Sequence, residues 1–231
     1  SILSVLKAGL SQNDFSGAKD SSLAVKIALV MKSPYAIRER ENLENIYLLA
    51  RRRPNFFGAG DVAFYDLAEH FCSNINTSEF AYLTYRDHSE KGYINTFNHI
   101  NAQVIITVLY SEQIADFIGD IHELAYMPEL TTGRFSDEQL SDTLNYPVDN
   151  YVDLINNEIG QELGKKLKLK YCISNNTKWT PRLLADFLND IQTHYKWSFG
   201  IGFKPIHKDN EIIIKFSEKI NRIKNSSFRP H

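Results

Sequence analysis

Cysteine, methionine and tryptophan are scarce in this chain of 231 residues, with two of each. Cys72 and Cys172 lie far apart and form no CxxC pair, which argues against a cysteine-rich structural zinc site. One disulfide or two free thiols both suit them, and the redox compartment stays open. No apolar run reaches the roughly eighteen residues that a membrane-crossing helix needs. No excess of one charge sign exists either: 26 Lys and Arg stand against 28 Asp and Glu, so a dedicated nucleic-acid binder, with its basic face, is not expected. Gly58-Ala59-Gly60 lacks both a preceding strand and a following Lys-Ser/Thr, so it is not a phosphate-cradling loop. There is no GxSxG nucleophile elbow and no repeat of fixed period, which removes an elbow-type serine hydrolase and a solenoid.

Helical periodicity fills most of what remains. Hydrophobic residues make up 43% and charged residues 23%, globular values that argue against bulk disorder. Residues 1–19 are Ser-, Gly- and Asn-rich and are expected to form a flexible leader; 20–231 are expected to form a single all-α, multi-helix globular domain. The chain starts at Ser1 rather than Met, which a cleaved signal peptide, a lipoprotein leader or a trimmed start would each produce. Asp20 or Ser21 caps a predicted helix to Met31, and Ser33-Pro34 ends it. Further helices are predicted over Ile37–Arg52, over 61–72 with Asp61 as cap, and over Ile94–Tyr110. Others follow over Glu112–Ala125 with Ser111 as cap, over Val148–Lys170, over Pro181–Tyr195 with Thr180 as cap, and over Glu211–Ile223. Phe80–Arg86 reads as loop, and Trp197–Phe203 as a short β segment near the C-terminus. Met127–Pro147 reads as one long loop, a length often used for lids or binding loops.

The most distinctive stretch runs from Asn95 to Gly164. On the long predicted helix, Val152, Ile155, Ile159, Leu163 and Leu167 recur at steps of three and four and read as the core stripe. Asp153, Asn156, Asn157, Gly160 and Gly164 form a neighbouring stripe at the same steps, with Asp149 one turn before it. Glycine costs up to about 1 kcal/mol inside a helix, so two glycines among asparagines suggest close packing or a site. His99 shares a stripe with Gln103 and Ile106. His122 follows the apolar edge of its own helix, and Glu123 points roughly 100° away from it. Jointly, His99, His122, Glu123 and Asp153 suit general acid/base catalysis, with Asn156, Asn157 and Gly160 binding substrate. No cofactor is evident; the same set can hold a divalent metal, although the spacing is not HExxH and the ligands stay unassigned.

Phe97-Asn98-His99-Ile100-Asn101-Ala102-Gln103, then His122-Glu123-Leu124, then Val152-Asp153-Leu154-Ile155-Asn156-Asn157-Glu158-Ile159-Gly160 resembles the signature of an uncharacterised bacterial domain family. That family occurs in secreted proteins and at the C-termini of polymorphic toxins, and its pattern is a His, a His-Glu and an Asp-Leu-x-Asn-Asn-x-x-Gly. The resemblance covers residues 93–170 and carries over to His99, His122, Glu123, Asp153, Asn156, Asn157 and Gly160. Asn98 stands where the family commonly has arginine, and the aromatic that often follows the first histidine by three is missing. The resemblance implies an all-helical fold, export from a bacterial cell and a shared pocket, with a cognate immunity protein or a secretion apparatus as partner. The function expected is a secreted or effector-type hydrolase of a cell-envelope or phosphodiester substrate. The alternative is a non-enzymatic helical binding or structural domain whose polar stripe serves helix packing.

Overall fold

The computed structural model describes residues 10–19, 21–77, 92–142 and 147–225. Every regular element among them is a helix, as the sequence predicts. In chain order these are α1 (Gln12–Lys19), α2 (Leu23–Lys32), α3 (Pro34–Arg38), α4 (Arg40–Ala50), α5 (Pro54–Phe57), α6 (Phe64–Ser73), α7 (Tyr93–Leu109), α8 (Glu112–Tyr126), α9 (Asp137–Ser141), α10 (Pro147–Lys170), α11 (Pro181–Phe199) and α12 (Glu211–Asn225). Residues 1–9 of the expected leader, Asp20 and the expected loop Phe80–Arg86 lie outside the described residues. Leu10 and Ala18 are buried, Leu10 in a small cluster with Ala36 and Phe117, and α1 contacts α8. Cys72 is buried and Cys172 is exposed, and neither is in a disulfide.

Local chemistry explains the helix starts. Ser111 Oγ accepts from the Ile114 N–H at 3.2 Å and Thr180 Oγ1 from the Leu183 N–H at 3.1 Å, so both predicted caps form. Ser33 Oγ likewise accepts from Ala36 at 3.2 Å, so the Ser-Pro pair that ends α2 also starts α3. The expected helix 37–52 is therefore two pieces, parted at Glu39. Trp197–Phe199 continue α11 rather than forming a strand, and Gly200, at φ +70°, ends that helix in the left-handed conformation. The expected β segment is reduced to one isolated antiparallel bridge between Ile75 and Phe203. Within the expected loop Met127–Pro147, Pro128–Thr131 form a 3-10 turn, and a Ser136/Gln139 capping box starts α9.

Apolar burial centres on Phe71, Phe97 and Tyr195, all below 1% exposure, with Phe97 stacked on Tyr195 at 4.5 Å between ring centres. Asp61 does not cap α6. Its carboxylate accepts from the Lys219 ammonium at 2.8 Å and from the Arg53 N–H at 2.6 Å, while Asp66 takes the capping role on the Ala63 N–H at 2.7 Å. Lys219 is 1% exposed and also donates to Arg51 O at 2.9 Å and Val62 O at 2.7 Å, so its three protons are all used. Lys219→Met leaves a buried carboxylate and two carbonyls without their donor. It should cost about 3–5 kcal/mol in guanidinium unfolding; a loss under about 1 kcal/mol would show that this staple does not hold α12 to the α4–α6 segment.

The long helix α10 lies mainly against α7 and next against α8. Its rotation differs from the predicted one. Val152 and Ile155 are 44% and 37% exposed, whereas Asp153, Asn156 and Asn157 are only 6%, 5% and 4% exposed. The cause is the glycine stripe. A Cβ on Gly160 would lie 2.6 Å from Gln103 Cβ and 2.7 Å from Ile100 O, and one on Gly164 would lie 2.8 Å from Thr107 Cβ. These contacts fix the face of α10 that meets α7. The buried stripe is continuous: Asp153, Asn156 or Asn157, Gly160, Leu163 or Gly164, then Leu167. The predicted core stripe is right only in its later part, at Leu163 and Leu167, with Ile159 partly buried against the core.

Candidate functional site

Helices α7 and α10 meet along a polar seam of constant register. Asn95 Nδ2 donates to Asp153 Oδ1 at 3.1 Å, His99 Nδ1 meets Asn157 Oδ1 at 3.0 Å, and Gln161 Nε2 donates to Gln103 Oε1 at 3.3 Å. Each pair is separated by 58 positions, so the two helices run parallel. Lys168 extends the register, its ammonium donating to Tyr110 O at 3.3 Å beyond the end of α7.

Helix α8 closes the seam on one side. Gly119 makes room for this approach, since a Cβ there would meet Asn157 Nδ2 and Gln103 Nε2 at 3.0 Å each. Four residues on, Glu123 is 2% exposed and its Oε1 lies 3.6 Å from His99 Nδ1. On the other side of the ring, His99 Nε2 is 3.7 Å from Asp153 Oδ2. His99 therefore sits between two carboxylates, one from α8 and one from α10. The imidazoles of His99 and His122 are 5.8 Å apart between ring centres.

The network orients these groups. Asn157 Nδ2 donates to Glu123 Oε1 at 3.5 Å, which turns the amide so that its oxygen faces His99. That oxygen can only accept, so Nδ1 of His99 carries a proton, and Nε2 faces Asp153. A proton added at Nε2 produces an imidazolium flanked by both carboxylates. Asn156 Nδ2 is buried and has no hydrogen-bond partner among the described residues. An amide donor left in that state costs about 1–3 kcal/mol.

Burial, reinforced by the charges of His99 and Arg51, pushes the His122 pKa down to about 4. At neutral pH His122 is thus a neutral imidazole, able to accept a proton or to ligate. In the unfolded chain it titrates near pH 6.5, so below that value protons favour unfolding. Its contribution is intact above about pH 6.5, falls by about 3 kcal/mol as the pH drops to about 4, and is level below. Denaturant melts of the chelator-treated chain and of His122→Gln across that window should diverge accordingly; parallel curves would contradict the burial of His122.

The structure thus brings together His99, His122, Glu123, Asp153 and Asn157 from three helices. Glu123, not His122, is the more buried of the adjacent pair. One nitrogen of each histidine and one oxygen of Glu123 lie within 4.8 Å of one another, so the three can hold a metal ion. Gly160 packs against Ile100 and Gln103, and of Asp149 only the helical backbone is described. Asn95, Gln103, Gln161 and Gly119 are contributors that the sequence reading missed. Their signal was available: Asn95, His99 and Gln103 on one helix, and Asp153, Asn157 and Gln161 on the other, both step by four. A separate groove of about 370 Å³ lies between α10 and α11, lined among others by Glu158, Lys166 and His194, and none of the cluster residues borders it. No family model, curated protein or solved structure matches the chain.

Proposed function

We propose that this chain is a hydrolase of the bacterial secreted or effector type, acting on a cell-envelope or phosphodiester substrate through the centre around His99. The observation that supports it is the orientation of α10, which buries Asp153, Asn156 and Asn157 and leaves Val152 and Ile155 partly in water. Hydrophobic burial alone favours the opposite rotation. In this reading Nε2 of His99 takes a proton from the attacking water while Asp153 stabilises the imidazolium formed. Glu123 and Asn157 hold the other side of the ring, and the spare Nδ2 donor of Asn156 is available to charge that develops on the substrate. Glu123 near a helix end suits the glycosidic bonds of a cell envelope and the His/Asp/Asn set suits phosphodiesters, while the resemblance to toxin-associated domains supplies the secreted or effector type and no reaction.

The test is turnover of purified peptidoglycan and of bis(p-nitrophenyl) phosphate by the full chain, with His99→Ala as the matched control. Turnover of one substrate, falling to about 1% or less in the variant, is the expected result. Turnover of neither, or equal rates for both proteins, would overturn the proposal and leave the polar seam as a packing device.

A further inference from the structure

We propose that His99, His122 and Glu123 form a binding site for one divalent transition-metal ion, with zinc the best fit, and that Asp153 is the outer partner that orients His99. Two histidines and a carboxylate are one of the three-ligand sets that bind zinc while leaving a fourth position for water. The distances suit it. Ligand atoms around a four-coordinate zinc with bonds of about 2.0–2.2 Å are spaced about 3.4 Å apart. His99 Nδ1 and Glu123 Oε1 already stand 3.6 Å apart, and one nitrogen of each histidine and one oxygen of Glu123 lie within 4.8 Å of one another. The three residues project from two helices joined only by Tyr110 and Ser111, which keeps the ligand set local.

A second, independent feature points the same way. Metal-bound histidines typically present their other ring N–H to a carboxylate, which fixes the ring and raises its basicity. His99 has that carboxylate on its far nitrogen: Asp153 Oδ2 is 3.7 Å from Nε2, and Asp153 is itself held by the Asn95 amide at 3.1 and 3.3 Å. Metal binding therefore asks for one exchange of protons in the site. His99 gives up the proton at Nδ1, which now ligates, and carries one at Nε2, which donates to Asp153. Asn157 Oδ1 loses its donor and is free to accept from a metal-bound water. The ring's net protonation does not change, so a neutral His99 stays neutral.

Binding itself does not depend on the hydrolase proposal; only the use of the ion rests on that reading, and in the loaded site, where Nε2 of His99 carries a proton, an ion-activated water takes over the part that His99 plays as base in the empty one. The experiment is calorimetric titration of zinc chloride into the untagged, chelator-stripped full chain, repeated with His122→Ala, Glu123→Gln and Asp153→Asn. Cobalt(II) absorption on the same proteins reports coordination. One ion per chain is expected, with the intense visible bands of four-coordinate cobalt. Affinity should fall at least about 100-fold in His122→Ala and Glu123→Gln, and about 10–100-fold with unchanged stoichiometry in Asp153→Asn. Circular dichroism and the zinc-induced rise in Tm separate a lost ligand from a lost fold: a folded variant that gains no Tm from zinc has lost the site. No binding by the wild-type chain, or unchanged affinity in folded His122→Ala and Glu123→Gln, overturns the inference. Hydrolysis that survives a chelator in a chain that binds no zinc defeats the metal site and leaves the hydrolase standing. Zinc bound through these residues without any hydrolysis upholds the site and defeats the hydrolase.

Discussion

Glu123→Gln should lower hydrolysis by about 10²–10⁴-fold while leaving the chain folded. The substitution keeps the volume of the side chain and one carbonyl oxygen, so Asn157 Nδ2 retains an acceptor near the 3.5 Å contact it makes now. What it removes is the charge 3.6 Å from His99 Nδ1. In the wild-type chain a protonated His99 is balanced on both sides; in the variant only Asp153 remains. The rate and the affinity for zinc should therefore fall together, and the melting temperature should move by a few degrees at most. A variant that loses stability and keeps its rate would mean that Glu123 serves only the packing of α8 on α10.

The second large effect concerns the seam itself. Gly160→Val should cost more than about 3 kcal/mol, which for a chain of this size lowers Tm by about 6–12 °C. Even the first added carbon of that side chain meets Gln103 Cβ at 2.6 Å, Ile100 O at 2.7 Å and Ile100 Cα at 3.2 Å. Two of these three atoms belong to the backbone of α7, so relief requires the helices to part. Parting them carries Asp153 and Asn157 away from Asn95 and His99, and activity should fall beyond the loss of folded protein. Gly17, on α1, is the matched control, because nothing lies within 4 Å of a Cβ added there. Gly17→Ala should be neutral or stabilise by up to about 1 kcal/mol, as expected for a helical glycine with free space. Equal melting temperatures for the two variants would contradict the close approach of α7 and α10.

Features set by local chemistry were legible in the sequence. Ser111 and Thr180 cap their helices because a short side-chain oxygen reaches an N–H three residues ahead, whatever the rest of the chain does. Asp61 had the same local credentials and failed, because Lys219, 158 positions away, takes its carboxylate. The rotation of α10 was illegible for a related reason. The stripe through Val152, Ile155 and Ile159 and the stripe through Asp153, Asn156 and Gly160 differ by one residue, about 100° around the helix. Hydrophobicity favours the first, and the close approach of Gly160 and Gly164 to α7 selects the second. The seven candidate positions were visible as residue types, but the carboxylates on either side of His99 were not. They arise from three helices and a register of 58 positions that no local pattern encodes.

Selection for stability alone would fill this seam with apolar side chains, since a buried polar network seldom outperforms well-packed hydrophobic residues of similar volume. In the proposed hydrolase the polar residues are present for chemistry. Equilibrium unfolding of the combined variant His99→Leu/Glu123→Leu/Asp153→Leu/Asn157→Leu tests this, with Asn95 also changed to Leu because its amide donates to Asp153. The variant should unfold cooperatively, with a stability equal to the wild type or higher by about 1–4 kcal/mol, and should bind no zinc and hydrolyse nothing. A chain that fails to fold, or loses several kcal/mol, would show that the polar seam is what joins α7 to α10, and would contradict its role as a reactive centre.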